Sequence, residues 1–188
     1  QHGYIASVGF HLYTRLLSES VQRLRSDKTM PDFAETLQAD QPAPALLVSV
    51  DLPIPVSLPA KYIPERQIRT RLYRRLADLR SQAEIDALTE EFVDRFGPLP
   101  EETHNLFFQL KIKLLAEQAG LASISCEGGQ IILRYPQLPE GETSRPLPNL
   151  GDDVRTGKNA FWMPFNDTAD WQDKLLDLLN RLITGVHE

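Results

Sequence analysis

Proline and glycine punctuation between residues 53 and 100 constrains this chain more than any other feature. Pro53, Pro55 and Pro59 crowd one short stretch. Proline has no backbone N–H to give to a sheet ladder, so this stretch is barred from being a central strand. It is expected to run as an extended edge segment into Tyr62-Ile63. Just before it, Leu46, Val48 and Val50 alternate with Leu47, Ser49 and Asp51, the period of a strand. Just after it, Pro64 suits the start of a helix, where its missing N–H is one of the donors left unpaired anyway. Ile68, Leu72, Leu76 and Leu79 then form one stripe at helical spacing. A second helix is expected from near Ser81, with Ile85, Leu88, Phe92 and Phe96 inward. Gly97-Pro98 stops it, because glycine accepts the left-handed terminal conformation and proline cannot continue a helix. A third helix opens at Pro100, with Glu101 and Glu102 at its positive end. It runs through Leu106, Phe107, Leu110 and Leu114 to about Ala119.

The rest of the chain follows the same logic. Phe10, Tyr13, Val21 and Leu24 recur at helical spacing and predict a helix over 10–25. Pro31, Pro42 and Pro44 break the polar stretch that follows, which reads as a linker. Leu121 to Cys126 and Gln130 to Tyr135 flank Gly128-Gly129, a hairpin signal, since two glycines supply the positive φ angles of a tight turn. Residues 136–159 read as a long loop, and Phe161 to Phe165 as a further strand beside the hairpin. Asp170 to Ile183 is a closing helix with Trp171, Leu175, Leu178, Leu179 and Leu182 inward. Helices and strands are segregated, so the fold class is α+β: a helical cluster on a small, mostly antiparallel sheet, with an N-terminal helical arm. The expected organisation is an arm over 1–27, a linker over 28–44 and one domain over 45–188.

Several kinds of chemistry are disfavoured. The net charge is −6, which argues against a surface built mainly to hold phosphate backbones but leaves room for a local basic patch. The single cysteine, Cys126, rules out an intrachain disulfide and reads as a small core residue in a reducing, cytoplasmic protein. No apolar run approaches the length of a membrane span. The opening Gln1-His2-Gly3-Tyr4 has neither a Met nor a signal-peptide pattern and reads as a cut from a longer protein. His2, His11, His104 and His187 stand at no metal-ligand spacing. Gly151 to Asn159 is not a phosphate loop: five residues separate its glycines, Asn159 follows Lys158, and Asp152 and Asp153 repel phosphate. Ser123, Ser125 and Ser144 lie in no nucleophile elbow. No catalytic residue, metal ligand or cofactor is assigned.

Two charged surfaces remain. Arg66, Arg69, Arg71, Arg74, Arg75 and Arg80 share one helix and its end. They spread around its non-apolar surface, and the preferred reading is structural: pairing with acids of the next helix, or stacking on Tyr73. The alternative is a DNA-binding accessory surface, with Arg66, Arg74 and Arg75 as its candidates. On the following helix, Asp94 lies nearly opposite the buried stripe and Glu91 is one turn away on the same exposed flank. Neither carboxylate is expected to be needed for folding. They are either a solvated face or an acidic patch for arginines on a partner.

A series of motifs bears on that choice. Gly3-Tyr4-Ile5-Ala6-Ser7-Val8-Gly9-Phe10-His11-Leu12-Tyr13 resembles the segment closing the second motor lobe of transcription-repair coupling factors, the Mfd proteins, and of related RecG-type translocases. Tyr62-Ile63-Pro64, Arg71-Leu72-Tyr73-Arg74-Arg75-Leu76-Ala77 and Asp94-Arg95-Phe96-Gly97-Pro98-Leu99-Pro100 resemble, in this order, the C-terminal domain of the Mfd family, which RecG lacks. The resemblance covers residues 3 to about 135. It implies a parent that is an ATP-dependent DNA translocase, displacing stalled RNA polymerase and recruiting UvrA for nucleotide excision repair. It implies a non-catalytic, autoinhibitory role for this domain, which would dock on a UvrB-like N-terminal module of the same protein and mask its UvrA-binding surface. The family's acidic clamp residues, just before the Arg-Phe-Gly turn, fall on Glu91 and Asp94.

Overall fold

A computed structural model describes residues 48–138, 141, 143, 145–151, 153–165 and 170–185. The expected arm, its helix over 10–25 and the linker lie outside the described residues. The described chain runs β1 (Ser49–Asp51), α1 (Arg66–Asp78), α2 (Gln82–Phe96), α3 (Glu101–Gln118), β2 (Ser123–Glu127), β3 (Gln130–Arg134), β4 (Arg155–Thr156), β5 (Ala160–Pro164) and α4 (Asp170–Gly185). This is the expected α+β class. The sheet has the order β1-β2-β3-β5-β4. Only β1 with β2 is parallel; the other pairs are antiparallel.

The hairpin forms where the two glycines stand. Glu127 pairs with Gln130 across a two-residue turn, and Gly128 and Gly129 take φ of 55° and 72°. Both central residues of such a turn need positive φ, so glycine is the residue that fits without steric cost. β5 lies against β3 with Phe161 opposite Leu133. Ile124, Leu133 and Phe161 share the inner face and are fully buried. β4 corrects the reading of 136–159 as loop throughout: Arg155 and Thr156 pair with Trp162 and Phe161 at the sheet edge. Both residues are exposed, so no apolar alternation announces them.

The helical punctuation is close to that expected, with one shift. α1 begins at Arg66 rather than Pro64. Arg69 Nη1 donates to the carbonyls of Ile63 and Pro64, just ahead of the helix, at 2.6 and 2.8 Å. α4 buries all five of the residues expected to face inward.

α3 is the organising element. Phe108, Ile112 and Ala116 face a core shared with the sheet and α4. Leu106, Phe107 and Leu110 face a second core, with Val56, Leu58, Ile63, α1 and α2. A helix buried on nearly every side sits at the centre of a fold. Its polar residues serve the proline-rich segment, which runs antiparallel along it. Thr103 Oγ1 donates to the Ser57 carbonyl (3.1 Å), Asn105 Nδ2 to Pro55 (3.1 Å) and Gln109 Nε2 to Val50 (2.7 Å). Prolines deny this segment a ladder, and buried carbonyls need donors from elsewhere.

Candidate docking surface

α2 is pinned at both ends. At its start, Ser81 Oγ accepts from the Glu84 N–H at 3.3 Å, and the Glu84 carboxylate accepts from the N–H groups of Ser81 (3.0 Å) and Arg80 (2.6 Å). These contacts satisfy donors that a helix start leaves orphaned. They also hold the Glu84 carboxyl below its ordinary pKa, chiefly through the Arg80 N–H. At its end, Gly97 takes φ of 87° and its N–H donates to the Val93 carbonyl at 3.0 Å. The Tyr62 hydroxyl donates to the carbonyls of Gly97 (2.9 Å) and Phe92 (3.2 Å). Tyr62 meets Phe96 edge-on, with ring centroids 5.9 Å apart, and Phe92 meets Phe107 at 5.2 Å. The Tyr62-Ile63-Pro64 motif and the Arg-Phe-Gly turn, more than thirty residues apart, are therefore one contact cluster.

On the outer side of this helix stand the two carboxylates. Asp94 is exposed and has no ion pair among the described residues. Glu91 corrects the expectation that it is structurally spare. Arg75 grips it with a two-bond fork from α1, Nη1 to Oε1 at 2.8 Å and Nη2 to Oε2 at 2.7 Å. Arg95, one turn along α2, adds a bond to Oε1 at 2.7 Å. The Arg75 bonds, then the Arg95 bond, hold the Glu91 carboxyl at a pKa of about 2 against its usual 4.5. The guanidinium of Arg95 also lies 5.1 Å from the centre of the Phe96 ring. Beside this network, Val93 is 47% exposed, the large apolar side chain left most open to solvent among the described residues. An open cleft of about 360 Å³ lies between α1 and α2, lined by Leu79, Ala87 and Leu88 together with Arg75, Asp78, Glu84 and Glu91.

The arginines of α1 and of the residues just past its end divide in two. Arg69 holds the Ile63 and Pro64 carbonyls, Arg80 those of Ala77 and Leu79, and Arg75 holds Glu91. Arg66, Arg71 and Arg74 are exposed and make no ion pair among the described residues. Arg75 thus pairs with the next helix, as the structural reading expected, and does not stand free beside Arg66 and Arg74. The Tyr73 hydroxyl accepts the Leu58 N–H at 2.8 Å. His104 is exposed on α3, and Cys126 is half-buried on β2, where burial pushes its thiol pKa up. The sequence reading assigned no particular base to Glu91. The Glu91–Arg95 pair was legible as an acid four residues before a base on a helix, whereas the Arg75–Glu91 pair requires knowing how α1 packs on α2.

An α+β domain built on a central helix, with a mainly antiparallel sheet on one side and a charged helical pair on the other, is the class this chain defines. The same fold occurs in the crystal structure of a C-terminal domain of transcription-repair coupling factor, with a TM-score of 0.60 and 15% identity over 74% of this chain and 92% of that one. The TRCF domain family matches residues 52–144. The transcription-repair-coupling factor of Haemophilus influenzae is 35% identical over 133 residues, 70% of this chain and 11% of that protein. That of Mycobacterium bovis is 32% identical over 147 residues, 77% of this chain and 12% of that protein. That of Staphylococcus haemolyticus is 29% identical over 190 residues, 97% of this chain and 15% of that protein. The chain belongs to the transcription-repair-coupling factor family and carries its C-terminal domain. It spans between 11% and 15% of the length of these relatives. Among the described residues no helix is long and apolar enough to cross a membrane.

Proposed function

We propose that this chain is a non-catalytic, autoinhibitory domain of a cytoplasmic transcription-repair coupling factor. It docks through the outer face of α2 on a UvrB-like N-terminal module of the same protein and so masks UvrA recruitment. The parent, in this reading, is the ATP-dependent translocase that displaces stalled RNA polymerase from DNA. Residues 1–27 close its motor lobe, 28–44 link, and 45–188 regulate.

The observation that carries the reading is the pair Glu91 and Asp94 on a helix fixed at both ends. A rigid helix loses little freedom when it docks, so a small polar interface of this kind can close and reopen. The alternative use of α1 on DNA has less support, because two of its five arginines are spent on the domain's own carbonyls and on Glu91, and Arg80 just past its end holds the Ala77 carbonyl.

The test is a titration of this chain with the UvrB-like module of its parent. Asp94→Arg is the cleaner variant, since Asp94 has no ion pair among the described residues to lose. The expected result is binding by the wild type, at least tenfold weaker binding by Asp94→Arg, and none by the Glu91→Arg, Asp94→Arg pair, with circular dichroism unchanged. Like charges facing across an interface cost more than an absent pair. Equal binding by all three would move docking off this face.

A further inference from the structure

Glu91 has little room for a partner's guanidinium. A carboxylate offers about four acceptor positions, and a guanidinium fork needs one free on each oxygen. Oε1 already accepts from Arg75 and Arg95, and Oε2 from Arg75. An incoming arginine can grip Glu91 in a fork only if an existing bond gives way.

The geometry says which one gives. Arg95 is on the same helix, and its guanidinium also rests against the Phe96 ring. Arg75 reaches across from α1 and lines the cleft; the two arginine side chains are about equally exposed, at 51% and 48%, so the ring contact of Arg95 is what separates them. Ion pairs this open to water are weak and exchange readily. The cleft lining also includes Leu79 and Ala87, apolar side chains that can cover the aliphatic stem of a replacement when Arg75 swings out.

We propose that Arg75 is a built-in competitor for the docking site: it holds Glu91 in the undocked domain, and an arginine of the docking partner enters by displacing it. This inference rests on the docking reading above. Closure then exchanges one ion pair for another, which keeps it weak and reversible. Asp94, with no ion pair among the described residues, meets the incoming cation first. Arg75 opposes docking twice, by occupying Glu91 and by repelling the arriving charge, so its removal should strengthen binding.

The experiment repeats the titration with Arg75→Gln and Arg75→Lys, each alone and combined with Asp94→Arg. Arg75→Gln should bind the module roughly three- to tenfold more tightly, the scale expected from losing an exposed pair and one like charge. Arg75→Lys should fall between it and wild type, because an ammonium cannot make the fork. Matched thermal unfolding guards against a folding artefact. As an independent readout, the guanidinium NMR signals of Arg75 should show hindered rotation in the free chain and lose it when the module is added. Unchanged or weaker binding by Arg75→Gln, with Asp94→Arg still impaired, overturns the competitor and leaves docking standing. Indifference of binding to Asp94→Arg, or no binding by wild type and Arg75→Gln alike, overturns docking and the competitor together.

Discussion

A carboxylate held by two guanidinium groups keeps its charge deep into acid. The folded pKa of Glu91 is depressed to about 2 from 4.5, so the pair's stabilisation is fully present above pH 4.5 and disappears as the pH falls toward 2. Glu91→Gln should therefore be less stable than wild type by about 0.5–1 kcal/mol at pH 7, the range of a well-formed exposed pair. The gap should shrink from pH 4.5 downward and close near pH 2. Urea unfolding at several pH values checks this; a gap that stays constant to pH 2 would show that ionisation of Glu91 is not its source. Tyr62 acts through a neutral donor instead. Burial raises its pKa, so it remains a proton donor to Gly97 and Phe92. Tyr62→Phe should cost about 1–2 kcal/mol by removing those bonds, with faster amide exchange at the end of α2.

At the scale of elements, α2 depends on its start as well as its buried stripe. Ser81→Ala removes one half of the reciprocal cap and should cost about 1 kcal/mol in thermal or chemical unfolding. No loss would mean that the Glu84 side, with its bonds from Arg80 and Ser81, suffices alone. The long elements were legible because their apolar residues repeat over several turns: Leu72 and Leu76 in α1, Ile85, Leu88 and Phe92 in α2, Trp171 to Leu182 in α4. The hairpin was legible through Gly128 and Gly129. β4 was not, because two exposed residues carry no pattern and only the pairing with β5 makes them a strand. The start of α1 was misplaced because Pro64 satisfies a local helix rule, while the backbone stays extended through the N-cap Glu65 and the Ile63 and Pro64 carbonyls are taken by the Arg69 side chain.

For the whole molecule, α3 belongs to both cores, so neither half should unfold alone. Trp162 and Trp171 both report on the sheet half, while most of the helical signal of α1 and α2 comes from the other. Fluorescence and circular dichroism should give coincident unfolding curves. Gln109→Ala should shift both together by about 1–3 kcal/mol, since it leaves the buried Val50 carbonyl without its donor. Separated transitions would show that the two cores are only loosely joined through α3.

What the sequence determined by itself is the helices and the hairpin, their inward faces and the order of motifs that marks the family. These are local properties: a stripe at period 3.6, a glycine pair at a turn, a proline that cannot donate. It also placed Asp94 and Glu91 outward on α2, because a helix's outer face follows from its inner one. Only the tertiary structure decided that Glu91 is already claimed by Arg75, that Tyr62 ties two distant motifs together, and that Gln109, Asn105 and Thr103 carry the proline segment. Each of those is a contact between residues far apart in sequence. Periodicity tells which way a side chain points, and packing alone supplies what it meets there.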